Sequence, residues 1–502
     1  MLSGFHADGA LPDADLPPSA IGASGVAAVR ASTNGFVTGS GDNPASTYWP
    51  ARLVQPLQWE RSLGGGAALG GGFGGRASDA AGVIDIADAD GFYATLKRSM
   101  AIDGRSVIVE RLRRGHTYAQ ATMAWNGTAA GWASPDMLLR VRLRDAMWRL
   151  AHPISRGRYG GTGGADGTAN LAGVWKPQSF GRCKNVKGVL VDPATELWQF
   201  NDGEVEAFDA VYVNGEPMGG GAWTPSVSTG CINLASASQG EITADLRGSK
   251  TGGNYVDTTA YIAHRIITEH SGLAAASLDL QTIDQVEGQN SAEVGIHVPA
   301  SAEDILAIDV LEELLAGVGG FIDCNELGKL QLGIFGGDWY GDTFEIDQRH
   351  IVSELERLAL PLGLDPPWAG CRIGYERNWT VMTSGVAGAV TASRRQFLAE
   401  AYRYGEALGD QSGAYQLATS PSLPGLYASL ADAEAEAARR VALYGVARGL
   451  YRARLPLTHG FRMGMRGRLT WGNWGLQSGV DCWVTRIRFD AQAGLVTVDL
   501  FA

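Results

Sequence analysis

Short apolar runs alternate with turn residues along most of this chain, most clearly over residues 175–215 (WKPQSFGRCKNVKGVLVDPATELWQFNDGEVEAFDAVYVNG). Runs at 188–191, 197–200 and 205–213 read as strands. They are closed by Asp192-Pro193, Asn201-Asp202-Gly203 and Asn214-Gly215. Asp-Gly and Asn-Gly between apolar runs predict hairpins, because both central turn positions need φ > 0. Comparable runs predict strands at 27–30, 35–38, 83–86, 106–110, 121–125, 230–234 and 241–246. The alternation of apolar and charged residues over 138–145 (LLRVRLRD) suits a strand with one wet face. Residues 321–324 and 329–334 flank Asn325-Glu326-Leu327-Gly328 as a further hairpin.

Three stretches carry helical spacing instead. Over 257–270, Ile262, Ala263, Ile266 and Ile267 share one face. Over 301–318, Ile305, Ile308, Leu311, Leu315 and Val318 recur at helical intervals. Ser301 and Asp304 form an S-x-x-D start there, and Gly319-Gly320 form the stop. Over 429–448 a second S-x-x-D start (Ser429, Asp432) precedes early acids and late arginines (Arg439, Arg440, Arg448), an order that complements the helix dipole. A short helix is expected at 146–150. Residues 453–502 read as strands broken by glycines, a meander or small barrel. By composition, 64–75 and 159–167 are flexible glycine-rich loops, and Asp13 to Pro18 does not suit regular structure for long.

Composition sharpens this into a β-rich, multi-domain chain. At 502 residues it exceeds one ordinary core, and 69 glycines imply many loops and few long helices. The divisions expected are 1–170, 171–250, 251–345 and 346–502. Net charge is −12, unlike a free-standing nucleic-acid binder. Residues 431–502 hold ten arginines and six acids, a balance of +4, against −16 for the rest. Five cysteines, widely spaced and without a C-x-x-C pair, fit reduced buried thiols made in a cytoplasm. Neither a signal peptide nor a membrane-spanning run is expected.

Candidate chemistry is sparse. The glycine-rich loops lack the G-K-[ST] of a phosphate loop. Asp88-Ala89-Asp90-Gly91 resembles part of a calcium loop, but Ile86 and Lys97 fall where oxygen donors are needed; a turn is expected, with a loose Ca²⁺ site left open. His264 and His270 point to different helix faces, while His297 and His459 are isolated, so no metal site is expected. Glu312-Glu313 reads as a solvated helix face rather than a carboxylate pair. Trp471 and Trp474 suit packing on a β-core, or a sugar-stacking platform. No catalytic, cofactor-binding or metal residues are expected.

The order Lys176-Pro177, Phe180-Gly181-Arg182, Asn185-Val186, Leu190-Val191-Asp192-Pro193, Gln199 to Gly203 and Ala210-Val211-Tyr212 resembles the tail-tip (baseplate) hub proteins of long-tailed phages. Weaker similarities precede and follow it: Tyr48 to Arg52, Ile84 to Gly91, Asp103 to Val107, Leu143 to Asp145, Phe321 to Leu332, Ala435 to Tyr444, Met463 to Gly467, Gly479 and Val496 to Leu500. The resemblance implies a structural virion protein of β-barrel or β-sandwich hub domains plus a few helices, without enzymatic activity. It implies a homotrimeric ring made in the host cytoplasm and placed at the tail tip. The ring would join the distal tail protein and the tape-measure end to tip, fibre or receptor-binding proteins. It would close the tube and open for DNA, which it meets only in transit. A negatively charged lumen would not hold DNA. The other readings are a receptor- or glycan-binding tail protein and a cell-wall-degrading tip enzyme.

Overall fold

The computed structural model describes residues 2–8, 28–65, 72–78, 82–93, 101–338, 343–410, 413–458 and 460–502. The fold is mainly β, with several sheets and a few helices, as the sequence predicts. Among the described residues no sheet closes into a barrel; the strand orders are open. No described helix is long and apolar enough to cross a membrane.

The largest sheet has sixteen strands and runs from Ala28–Ser32 through Leu2–Asp8, Ser106–Leu112, Thr122–Ala133, Leu138–Arg144, Gly82–Ala87 and Leu53–Gly65. It continues through Val480–Asp490, Leu495–Phe501 and Leu450–Pro456 to Glu356–Leu358. The expected divisions 1–170 and 346–502 therefore share one sheet. Their seam is the antiparallel pair of Leu53–Gly65 with Val480–Asp490. Trp59 sits opposite Phe489 in that seam, and their rings stack 5.6 Å apart. Alternation decides the faces: Leu139, Val141 and Leu143 are buried, while Arg140 meets Asp85 on the neighbouring strand through bonds of 2.8 and 2.7 Å.

Strands within residues 178–255 and 295–298 supply a second unit with its own core, built from Cys183, Val186, Phe200, Val205, Val211, Ile232, Leu234, Ile242, Ala244 and Leu246, while the helices between them pack in the main core. One sheet orders Glu216–Pro217, Val205–Val213, Ile242–Thr251, Gln178–Lys187 and Gly295–Val298. The other orders Val189–Asp192, Leu197–Gln199, Cys231–Leu234 and Trp223–Ser226. Asn214-Gly215 forms its hairpin, with φ of 46° and 79°. Asn201-Asp202-Gly203 does not: the strands on either side of it belong to different sheets. Buried Asn201 bonds Ser179 N–H and the carbonyls of Gly203 and Glu204, so its side chain turns the chain from one sheet to the other. Gly188 allows the Phe200 ring to close the core, since a Cβ there would lie 2.7 Å from it.

The helices depart from expectation in instructive ways. The stretch 257–270 is helical as predicted, with Thr259–Arg265 α-helical and Ile266–His270 π-helical. The next predicted helix begins six residues late, at Ala307–Gly317. Ser301 instead bridges Trp175, Asp304 accepts from Arg158 and Trp175 Nε1, and Leu306 bridges Pro153. Ser301 Oγ still accepts locally from the Glu303 N–H, while tertiary partners hold the Ser301 backbone and the Asp304 carboxylate. Leu280–Gln289 is a helix with only Thr282, Ile283 and Val286 buried, too weak an apolar stripe to read in sequence. Part of the supposed flexible loop 64–75 is ordered. Gly64 and Gly65 end one strand, and Phe73–Ala77 forms another, parallel to Gly320–Cys324. Gly74 is required there, because a Cβ would lie 2.9 Å from the Gly320 carbonyl.

Candidate functional site

Lys184 and Tyr212 of the 175–215 motif meet Thr243, Asp245, Asn378 and Arg394 around Asn185, at the junction of the second unit with residues 376–400. Asn185 is fully buried and takes φ of 54°, a left-handed conformation that asparagine tolerates better than most residues. Its amide nitrogen donates to Asn378 Oδ1 (2.8 Å) and to the Thr380 carbonyl (2.7 Å). Its amide oxygen accepts from Thr243 (2.7 Å) and Arg394 (3.1 Å). Asn378 in turn donates to the carbonyls of Phe397, Leu398 and Glu400. Beside it, Asp245 accepts from the Asn185 N–H (2.8 Å), Lys184 (3.1 Å) and the Tyr212 hydroxyl (3.1 Å). Burial, reinforced by Asp245, pushes the Tyr212 phenol up to about 12, so it stays a neutral donor. Arg394 also lies 3.9 Å over the Tyr212 ring. All four hydrogen-bonding contacts of the Asn185 amide, and those of the Asp245 carboxylate oxygens, are made within the protein. The arrangement is a fastener, with no free nucleophile or base.

A second fastener lies in the helix Leu430–Tyr444, whose start is capped as predicted: Ser429 accepts from the Asp432 N–H. Its arginines do something the sequence reading missed. Buried Glu436 bonds both Arg439 and Arg440. These donate onward to the carbonyls of Ala316, Gly317, Val318 and Phe335. They cap the C-terminus of a different helix, Ala307–Gly317, rather than serving the dipole of their own. Arg448 lies beyond the helix and bonds the Leu443 carbonyl.

The other candidate residues are similarly engaged. Arg52 grips Asp90, holding its carboxyl down to about 2, and Asp88 accepts from the Tyr93 N–H. A guanidinium already occupying Asp90 opposes a bound cation, and Lys97 lies outside the described residues. Among the described residues no three His, Cys, Asp or Glu side chains gather as a metal site. His297 is buried against Ser179 and His270 against the Ile154 carbonyl; burial lowers them to about 3 and about 4. His264 stands on the helix Thr259–Arg265, and His459 is outside the described residues. All five cysteines are buried and unpaired. Burial pushes Cys371 up to about 11 and Cys324 up to about 12, and raises the other three, so they stay as thiols at neutral pH.

Glu312 and Glu313 pair with Arg76 and Arg377, bridging their helix to two other segments rather than facing solvent alone. Trp474 is 43% exposed beside Tyr451, but Trp471 packs on the core, so the two do not form one platform. Arg466 is neutralised by Asp338 and Asp481. The loop 159–167 is organised by Asp166, which accepts from Gly160 N–H and Thr162.

No family model matches the chain, and no curated protein matches it. Solved structures do match along most of it. A tail protein from Neisseria meningitidis MC58 is 10% identical, covering 89% of this chain and 91% of that one, with a TM-score of 0.39. The 43 kDa tail protein of prophage MuSo2 from Shewanella oneidensis is 9% identical, covering 91% and 96%, with a TM-score of 0.39. A chain of the virion of a native gene transfer agent particle is 12% identical, covering 65% and 84%, with a TM-score of 0.43. These are similarities of general outline.

Proposed function

We propose that this chain is a structural virion protein, the central hub of a phage tail tip. It forms a ring, a homotrimer, that closes the tail tube between the distal tail protein and the tip or fibre proteins. It meets the tape-measure end and opens for DNA ejection. One observation carries the reading. The motif that resembles hub proteins, residues 175–215, folds into a separately cored β-unit whose polar residues serve attachment rather than chemistry. The tail and virion proteins similar in outline along the chain accord with it. So does the engagement of the candidate carboxylates and thiols in internal contacts. Immunogold labelling of purified particles from the source lysate, with antibody to this chain, tests it. Label confined to the tail tip is expected. Label along peripheral fibres would favour an adhesion protein, and no label on accessible intact particles would overturn a virion role.

A further inference from the structure

The outer face of the C-terminal sheet carries two consecutive cross-strand rows of different composition. In the first, strand register aligns Arg452, Asp499 and Arg486. Asp499 lies between the arginines, bonding Arg452 through both oxygens (2.7 and 2.9 Å) and standing 3.8 Å from Arg486. Arg486 also reaches Glu60 at 2.6 Å. Two residues along, the same three strands align Arg454, Thr497 and Arg488. Here a hydroxyl stands where the first row has a carboxylate. Arg454 and Arg488 are exposed, and neither side chain has a hydrogen bond or ion pair among the described residues. Their strands are separated by one other, so their backbones lie about 10 Å apart. Both rows line a groove of about 270 Å³.

We infer that the Arg454–Thr497–Arg488 row is a binding site for a carboxylate from an acidic protein segment, which completes this row as Asp499 completes the neighbouring one. Two guanidinium forks facing one gap suit a planar two-oxygen anion, with the Thr497 hydroxyl as a third donor. The surroundings favour a protein carboxylate over a nucleic-acid backbone. Glu356 and Asp499 stand in register with the first row, and Glu60, opposite Arg488, ends the second while pairing with Arg486, so the unpaired positive charge is confined to Arg454 and Arg488. A polyphosphate chain needs a longer unbroken basic track. The inference stands on strand register and does not depend on the tail-hub reading. Neither arginine pair drew notice in the sequence, because the R-x-R of 452–454 and that of 486–488 meet only through the intervening strand.

The test is fluorescence anisotropy of a fluorescein-labelled hexaglutamate peptide with the full chain at low ionic strength, and with two variants. Wild type is expected to bind, and Arg454→Ala with Arg488→Ala to bind at least tenfold more weakly. Thr497→Asp, which supplies the missing carboxylate internally, is expected to lose binding comparably while raising the melting temperature. Absence of binding by wild type, or equal binding by the variants, would overturn the site. Preferential binding of a 12-base-pair DNA duplex in competition would overturn the choice of a protein carboxylate.

Discussion

The second unit and the long sheet are both mainly antiparallel, yet they are assembled from different distances along the chain. The unit's strands all come from residues 178–298, and its core is its own. The long sheet is joined where Leu53–Gly65 meets Val480–Asp490; there Gln58 donates to Asp490 across 432 residues. Loop-closure entropy grows only logarithmically with length, so such a seam is thermodynamically accessible. It is nonetheless a late and slow contact by topology. One region is thus drawn from a single stretch of the chain, and the other from where its two ends find each other.

The largest test of this contrast is Glu436→Ala. It strips the carboxylate from buried Arg440 and half-buried Arg439, so the body is expected to lose about 3–5 kcal/mol. Denaturant unfolding measures the loss, and amide exchange should quicken in Val480–Asp490 more than in Val205–Val213. Phe200→Ala reverses the pattern, costing about 3–5 kcal/mol in the smaller core and quickening exchange first in Val205–Val213. If both substitutions loosen both regions equally, the two cores act as one cooperative unit and the contrast fails.

Acid sharpens the comparison next, since His297 belongs to the unit and His270 to the body. Their folded values are depressed to about 3 and about 4, below an unfolded value near 6.5. Between those limits the unfolded chain binds more protons, so stability is complete above about pH 6.5 and falls as pH drops toward 4. His297→Gln is expected to remove up to about 1.4 kcal/mol per pH unit of that slope, read from urea midpoints at a series of pH values. The smallest effect is Ser429→Ala, which removes a helix cap and should lower body stability by about 1 kcal/mol, leaving exchange in the smaller unit unchanged.

What was legible follows the same division. The Asn214-Gly215 hairpin, the 321–334 hairpin, the alternating strand Leu138–Arg144 and the cap at Ser429 are local, and each forms as its residues predict. The errors arose where a local signal met a distant partner. Ser301 and Asp304 carry cap chemistry, yet Trp175 pairs with the Ser301 backbone and, with Arg158, takes the Asp304 carboxylate. Asn201-Asp202-Gly203 carries hairpin chemistry, yet the Asn201 side chain, accepting from the distant Ser179 N–H, turns the chain toward another sheet. Glycines at 64–75 suggest looseness, yet Gly74 is small because a backbone carbonyl lies against it. The Asn185 fastener had no signal beyond its place in the motif, since Asn378 and Arg394 are remote in sequence.

By itself the sequence determined the β-rich class, most strand and helix positions, and which residues are apolar enough to be buried. Side-chain periodicity and turn chemistry act over a few residues and are written directly in the order of the chain. Only the tertiary structure decided that the two ends share a sheet, that Glu436 turns Arg439 and Arg440 onto another helix, and that four arginines line one groove. Those outcomes depend on strand register and on which buried polar groups find partners, and both are settled between segments far apart in the chain.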